Sequence, residues 1–392
     1  MASAWTPETR PDYAGGSLVN LMSSLIEARG GTPDCAALRA LPPGEIASVT
    51  NLVLLVVDGL GADWLARHAP QGLLGRHQRA AITSVFPPTT AAAIPTFLTG
   101  AAPARHGLTG WFTYLRELGC VMTVLPGRPR YGGVGYRGAG VDTERLFALP
   151  TVFERIRARG LAVAPAHIAY SDFNRAMSRG AEVRPFETLQ QAFRQTLRLV
   201  RRARTHQYLY VYWPDLDRIG HEQGIESAAA IAHLHEIERA IGDFILGAAG
   251  TDTLLVVTAD HGQRDTRPGD RIDLSDHPDI ADCLSLPLCG EPRTAYCYLR
   301  PSRAAEFPAL CRERLGDAAE VVPSQELIEA GLFGPGPVHP RLHERVGDCT
   351  LVMRDGYVIG DRLASEKPHT QIGVHGGLST AELRVPLCVL KS

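Results

Sequence analysis

The chain has 392 residues, 45% of them apolar and 21% charged, with a formal net charge of −2. That length exceeds a single small domain and suits one large α/β domain carrying an insertion, or two domains. The near-neutral balance excludes the electrostatic footprint of a nucleic-acid or acidic-membrane binder, so neither a nucleic-acid polymer nor a membrane is an expected partner. Cysteines stand at 35, 120, 283, 289, 297, 311, 349 and 388, with no CxxC pair and no thiolate zinc pattern. Residues 1–8 lack the basic and apolar regions of a secretory signal, and no apolar run reaches membrane length. The expectation is a cytoplasmic protein with reduced, packed cysteines.

In chain order, residues 1–16 are polar, punctuated by Pro and Gly, and read as irregular. Leu18, Leu21, Leu25 and Ile26 recur at helical spacing and predict a helix over 17–29. Residues 51–57 form a continuous apolar run, the pattern of a strand buried on both faces, and stop on Asp58-Gly59. Asp58 is either the N-cap of a helix over 62–68 or a ligand at a strand end. A strand over 80–86 runs into Pro87-Pro88, and Thr89-Thr90 open an Ala-rich helix. A hydroxyl at a helix N-terminus sits beside free amides that favour an anion; the ordinary role of one such Thr is the N-cap. Arg105-His106-Gly107 read as a loop. Residues 117–142, rich in Gly, Pro and Arg, read as an excursion over the surface.

A helix over 152–159 and a strand over 161–164 precede an amphipathic helix over 190–204, whose Arg194, Arg198, Arg201 and Arg202 form one solvated face. The apolar strand 207–213 ends in Pro214, and Asp217 and His221 follow. Four residues apart on a helical turn, they share a face and can hold one divalent cation or make a surface ion pair. In the next helix, the stripe Ile231, Leu234, Ile237, Ile241, Phe244 and Ile245 leaves His233 and His235 exposed. Strand 253–258 stops on Asp260-His261-Gly262. From about 273 to 363 Pro, Gly and Arg increase around a β-rich piece at 294–299 and a helix over 304–315. This stretch reads as an inserted smaller subdomain, with Asp276, His277, His339 and His343 as structural or surface residues. Near the end, glycines flank His375 in Gly373-Val374-His375-Gly376-Gly377, and a last strand covers 385–390. Asp58-Gly59-Leu60-Gly61 lacks the third glycine of a dinucleotide-binding fingerprint.

Strand after strand ends on Asp or Asp-His. Asp58, Asp217, His221, Asp260, His261 and His375 supply three carboxylates and three imidazoles without a thiolate, a donor set suited to Zn²⁺ and less specifically to Mn²⁺ or iron. Six ligands are too many for one catalytic zinc, which takes about three and keeps a position open. Divided three and three they make two open sites, the arrangement that clamps the attacking and leaving oxygens of a displacement at phosphorus. Thr90 or Thr89 supplies a hydroxyl that coordination would turn into a nucleophile.

The pieces Val57-Asp58-Gly59, the block from Phe86-Pro87-Pro88-Thr89-Thr90 to Thr99-Gly100, His106-Gly107, Asp217-Arg218-Ile219-Gly220-His221, Thr258-Ala259-Asp260-His261-Gly262 and Val374-His375-Gly376 together resemble the alkaline phosphatase superfamily. They are most similar to its nucleotide pyrophosphatase/phosphodiesterase branch. The resemblance implies an α/β three-layer sandwich: a largely parallel central sheet, helices on both faces, and an inserted smaller α+β subdomain. The catalytic core would be 14–272 plus 364–392, and 273–363 a cap-like insertion. The resemblance further implies Thr90 as nucleophile and metal-bound hydroxyl. Asp58, Asp260 and His261 would bind the metal that activates it, and Asp217, His221 and His375 the metal that receives the leaving oxygen. Ala91 stands where nucleotide-cleaving members place a base-stacking aromatic, and Ala93 where an Asn for a phosphoryl oxygen is expected. Backbone amides at the helix start, or Arg105, are the substitutes.

The expected activity is a two-metal phosphodiesterase acting on a small-molecule phosphate ester through a phosphothreonine at Thr90. The alternatives are a phosphomonoesterase or phosphonate hydrolase on the same site, and a non-catalytic metal-binding homologue. No Cys/Ser-x-Pro-x-Arg sequence of a sulfatase occurs at the nucleophile.

Overall fold

A computed structural model describes residue 6, residues 9–364, residue 366 and residues 370–392. Of the irregular N-terminal reading, residues 1–5, 7 and 8 lie outside the described residues. The helix expected over 17–29 is Leu18–Ala28. The larger sheet has seven strands in the order Gln78–Thr83, Arg384–Lys391, Thr253–Thr258, Asn51–Val57, Gln207–Trp213, Arg159–Pro165 and Glu182–Phe186. From Thr253–Thr258 to Glu182–Phe186 every neighbouring pair is parallel, while Arg384–Lys391 runs antiparallel to both its neighbours. Every residue of Asn51–Val57, Gln207–Trp213 and Thr253–Thr258 is buried. A strand can be apolar on both faces only where helices cover both, and each buried Leu or Val adds roughly 1.5–3 kcal/mol.

A second seven-stranded sheet is antiparallel throughout, in the order Ala319–Pro323, Cys349–Met353, Thr294–Cys297, Cys289–Glu291, Phe112–Leu115, Cys120–Thr123 and Arg128–Pro129. It is assembled from two distant pieces of chain, 112–129 and 289–353. The first of these corrects the surface-excursion reading of 117–142. Phe112–Leu115 and Cys120–Thr123 pair as a hairpin, and Val121 and Cys289 are buried in the same apolar cluster as Tyr296 and Phe333. Strands of four residues carry too little alternation to stand out in a Gly- and Arg-rich stretch.

The two sheets are pinned together by a buried ion pair. Arg293 donates from Nε and Nη2 to the two carboxylate oxygens of Glu382, each at 2.9 Å. Glu382 also accepts from the amide of Gly377 at 2.8 Å, and both side chains of the pair are about fully buried.

Smaller readings change as well. Arg105-His106 lies in a short helix, Pro103–His106, rather than a loop. His233 is half-buried and accepts from the indole of Trp213 at 3.0 Å, whereas His235 is exposed as expected. His339 is half-buried, the structural side of its structural-or-surface reading. Among the described residues no helix is long and apolar enough to cross a membrane, and all eight cysteines are unpaired.

Candidate active site

The parallel register determines where the acidic residues meet. Val57 is opposite Trp213, and Val56 opposite Thr258. The three central strands therefore stop at the same level, at their carboxyl ends, where ligands bind in open α/β sheets. Asp58 is the next residue on its strand. Asp217 sits in the first turn of helix Asp215–Gln223, and Asp260-His261 follow Thr258. Asp58 caps no helix, since Ala62–His68 starts from Gly61. Gly59 has φ +78, and a Cβ there would meet Asp217 Cα at 3.0 Å. Gly262 is more crowded, for a Cβ would meet the Ala381 carbonyl at 2.0 Å. Both glycines let neighbouring turns close on the acidic cluster.

Two groups of possible ligand atoms form, Asp58 with Asp260 and His261, and Asp217 with His261 and His375. In each, the atoms lie within 4.8 Å of one another. His261 thus faces both groups, and its ring stacks on His375 with centroids 3.7 Å apart. His221, expected beside Asp217 and His375, lies 3.1 Å from Asp217 and 5.2 Å from His375 between ring centroids. Its Nδ1 meets the Gly373 carbonyl at 2.7 Å, which turns Nε2 toward Asp217. Gln263 donates to Asp217, and the Tyr212 hydroxyl donates to Oδ2 of Asp58.

Buried polar atoms without a partner mark what these groups are suited to hold. Asp58 Oδ1, Asp260 Oδ2 and His375 Nδ1 are buried with no hydrogen bond. Burial, then the charges of Asp260 and Asp217, push the Asp58 carboxyl well above the ordinary range. Burial would also raise Asp217, but His221, His375 and His261 together hold it low. Burial, then His261, pushes His375 well below the usual imidazole value. Carboxylates crowded in a dry site with orphaned oxygens are stabilised by a cation, and mixed oxygen and nitrogen donors fit a divalent transition metal.

Thr90 Oγ1 lies 3.1 Å from His261 Nε2, at the start of helix Thr90–Thr99. The preceding segment is fastened to the sheet, with Ser84 Oγ donating to the Asp260 carbonyl and Ser84 N to Leu383 O at 2.8 Å. Thr89, the other hydroxyl, points elsewhere and donates to Oε1 of Glu291 at 2.6 Å. Glu291 escaped the sequence reading. It ends strand Cys289–Glu291 at a two-residue turn, and its only local signal is an acid amid buried β residues. Burial pushes its carboxyl up to about 7.

A cavity of about 330 Å³ is lined by Thr89, Thr90, Asp217, His221, Glu291 and His375. A second, of about 730 Å³, also touches Thr90, Trp111 and Asp217 and runs past Tyr170, Phe173, Tyr210, Tyr212, Arg128 and Arg218.

The model of the type I phosphodiesterase / nucleotide pyrophosphatase family matches residues 52–378. The chain belongs to this family. Its members are hydrolases of phosphoric esters within the alkaline phosphatase superfamily, which is generally dinuclear and metal-dependent. Among curated proteins nothing matches. Among solved structures, murine ectonucleotide pyrophosphatase/phosphodiesterase 5 superposes with a TM-score of 0.64 at 15% identity, covering 86% of this chain and 87% of that one. An inactive variant of the same murine protein, in complex with AMP, gives a TM-score of 0.64 at 14% identity, covering 86% and 87% of the two chains. Phosphonoacetate hydrolase from Sinorhizobium meliloti 1021, in complex with phosphonoformate, superposes with a TM-score of 0.61 at 19% identity over 86% and 89% of the chains. These likenesses show the fold: a mixed α/β architecture with a largely parallel, open sheet flanked by helices.

The two departures from the family pattern, Ala91 and Ala93, and the candidate substitute Arg105 lie away from both cavities. Ala93 is buried within the main core and lines neither cavity. Ala91 is also fully buried. Arg105 pairs with Asp34 at 2.5 Å rather than with the site. His106 is a core histidine between Thr96 and the Leu108 amide, held down to about 3 by burial. The amides of Thr90 and Ala91, by contrast, find no acceptor in the described protein.

Proposed function

We propose that this family member is a two-metal phosphodiesterase that forms a phosphothreonine at Thr90. The observation that carries the reading is Thr90 Oγ1 at 3.1 Å from His261, within the cluster of orphaned carboxylate oxygens. Asp58, Asp260 and His261 would hold the cation nearest Thr90, which Thr90 itself would touch, and Asp217, His221 and His375 the second. Divalent ions bound there, Zn²⁺ in our reading with Mn²⁺ or iron as alternatives, neutralise phosphoryl charge and lower the pKa of a bound hydroxyl. Thr90 Oγ gives up its proton to solvent and attacks phosphorus in line; the bond to the leaving oxygen breaks and that oxygen takes a proton from solvent; water then attacks the phosphothreonine, which releases the phosphoryl product and restores the Thr90 hydroxyl. The amides of Thr90 and Ala91, at the positive end of their helix, receive a phosphoryl oxygen.

The preference for a diester rests on room beyond the phosphoryl cavity. The 730 Å³ space past Tyr170 and Phe173 has walls for a flat or apolar ester arm and two arginines near its rim. The segment 273–363 carries Glu291 and Pro292 to the smaller cavity, so we assign it, with 112–129, a cap-like part in substrate choice. A second reading, hydrolysis of a monoester or a phosphonate, is favoured by the likeness to phosphonoacetate hydrolase. Rates on bis-p-nitrophenyl phosphate, p-nitrophenyl phosphate and phosphonoacetate separate the two.

The deciding experiment is Thr90→Ala on metal-analysed protein. Turnover should vanish while metal content is unchanged, and wild type quenched during turnover should carry a phosphoryl group on Thr90 by mass spectrometry. Full activity in Thr90→Ala would move the nucleophile to Thr89. An unreactive wild type with metal bound would leave the non-catalytic metal-binding alternative.

A further inference from the structure

Thr89 is the N-cap of helix Thr90–Thr99, with the extended backbone (φ −144, ψ 150) normal for that position. A Thr there ordinarily turns its hydroxyl oxygen onto the amide of the second or third helical residue. This one makes no such bond. Its hydroxyl donates instead to Oε1 of Glu291 at 2.6 Å, and the same oxygen accepts from the Trp111 amide at 2.7 Å. Glu291 belongs to the second sheet, is 7% exposed, and lines the phosphoryl cavity beside Thr89 and Thr90. The residue that should cap the helix is thus held off it by a side chain from the second sheet.

We propose that Glu291 is a positioning residue that keeps the Thr89 hydroxyl away from the helix start and so leaves the first amides of the helix free to bind a phosphoryl oxygen. Through the Trp111 amide the same carboxylate fixes one wall shared by both cavities. Without Glu291 the Thr89 oxygen has the capping bond as its nearest alternative, and it would then occupy an amide the substrate needs. The inference rests on the phosphodiesterase reading, because it needs an anion at those amides.

The test compares wild type, Glu291→Ala, Glu291→Gln and the double variant Glu291→Ala/Thr89→Val, all metal-loaded. Readouts are ester turnover, inorganic phosphate affinity by calorimetry, metal content and melting temperature. Glu291→Ala should lose about 100-fold in kcat/KM, the scale of one lost oxyanion donor. Its phosphate affinity should fall in parallel with no change in metal content. Glu291→Gln keeps an acceptor for both donors and should stay within a few-fold of wild type. The double variant removes the hydroxyl that would re-cap the helix, so it should recover phosphate affinity relative to Glu291→Ala. A residue that merely supports the fold would gain nothing from a second change. If Glu291→Ala fails to fold, Glu291→Asp keeps the charge, withdraws the acceptor by one methylene and should lose at least about ten-fold. An active wild type with Glu291→Ala (or Glu291→Asp) unimpaired, or no recovery in the double variant, overturns this inference alone. A metal-loaded wild type that neither turns over an ester nor binds phosphate overturns the functional reading and this inference with it.

Discussion

The Tyr212 hydroxyl donates a hydrogen bond to Oδ2 of Asp58, which leaves Oδ1 of that carboxylate as the orphan in the cluster. A hydrogen bond to the outer oxygen of a ligating carboxylate fixes which oxygen faces the metal. Removing it with Tyr212→Phe should weaken divalent-metal affinity by about 10–100-fold while barely changing the melting temperature. Metal titration of chelator-stripped protein measures this; unchanged affinity would mean the tyrosine only fills space.

Asp58 should show opposite effects in the two metal states. With metal stripped, three carboxylates share a buried site, and Asp58→Asn relieves that repulsion. The stripped variant should be more stable than stripped wild type. Loaded with metal, the same variant should bind fewer equivalents and be the less active. Urea unfolding with and without chelator, alongside metal analysis, gives both quantities.

Glu291 predicts a slope of stability with pH. Its carboxyl is raised from 4.5 to about 7 by burial. Between those values the folded protein keeps a proton that the unfolded chain has already lost, so this group's contribution falls as pH rises from about 4.5 and is fully lost above about 7. At roughly 1.4 kcal/mol per unit the loss is about 3 kcal/mol. Glu291→Gln does not titrate. Its stability relative to wild type should therefore improve by about that amount between pH 4 and pH 8, as measured by denaturant titrations at the two ends.

The Arg293–Glu382 pair should be intolerant of single removal. Arg293→Met would leave a buried carboxylate facing only the Gly377 amide and the Ser379 hydroxyl. The expected loss is about 3–5 kcal/mol, with a matching fall in melting temperature. Replacing both partners by apolar residues should recover part of it.

Much of the larger sheet could be read from the sequence for a physical reason. Parallel strands buried on both faces are uninterrupted apolar runs, and residues 51–57, 207–213 and 253–258 stop on the acidic and histidine residues that converge in space. The smaller sheet could not be read this way. Phe112–Leu115 and Cys289–Glu291 meet through one register position, Phe112 opposite Gly290, across nearly half the chain. No local pattern announces such a contact. Glu291 and the half-buried His233 are illegible in the sequence for the same reason, since their environments are supplied by distant segments. The orientation of His261 toward both groups depends on side-chain directions that spacing does not encode.

The two-piece origin of the smaller sheet also sets an order of events during synthesis. The hairpin Phe112–Thr123 emerges from the ribosome well before its outer partner, Cys289–Glu291. At common elongation rates the wait is on the order of ten seconds or more. Throughout it, Phe112–Leu115 presents an open edge, the kind of surface on which chains aggregate. The cavity wall made by Trp111 and Glu291 is therefore among the last parts to close. Conditions that slow translation should lower the yield of soluble protein before they touch its activity.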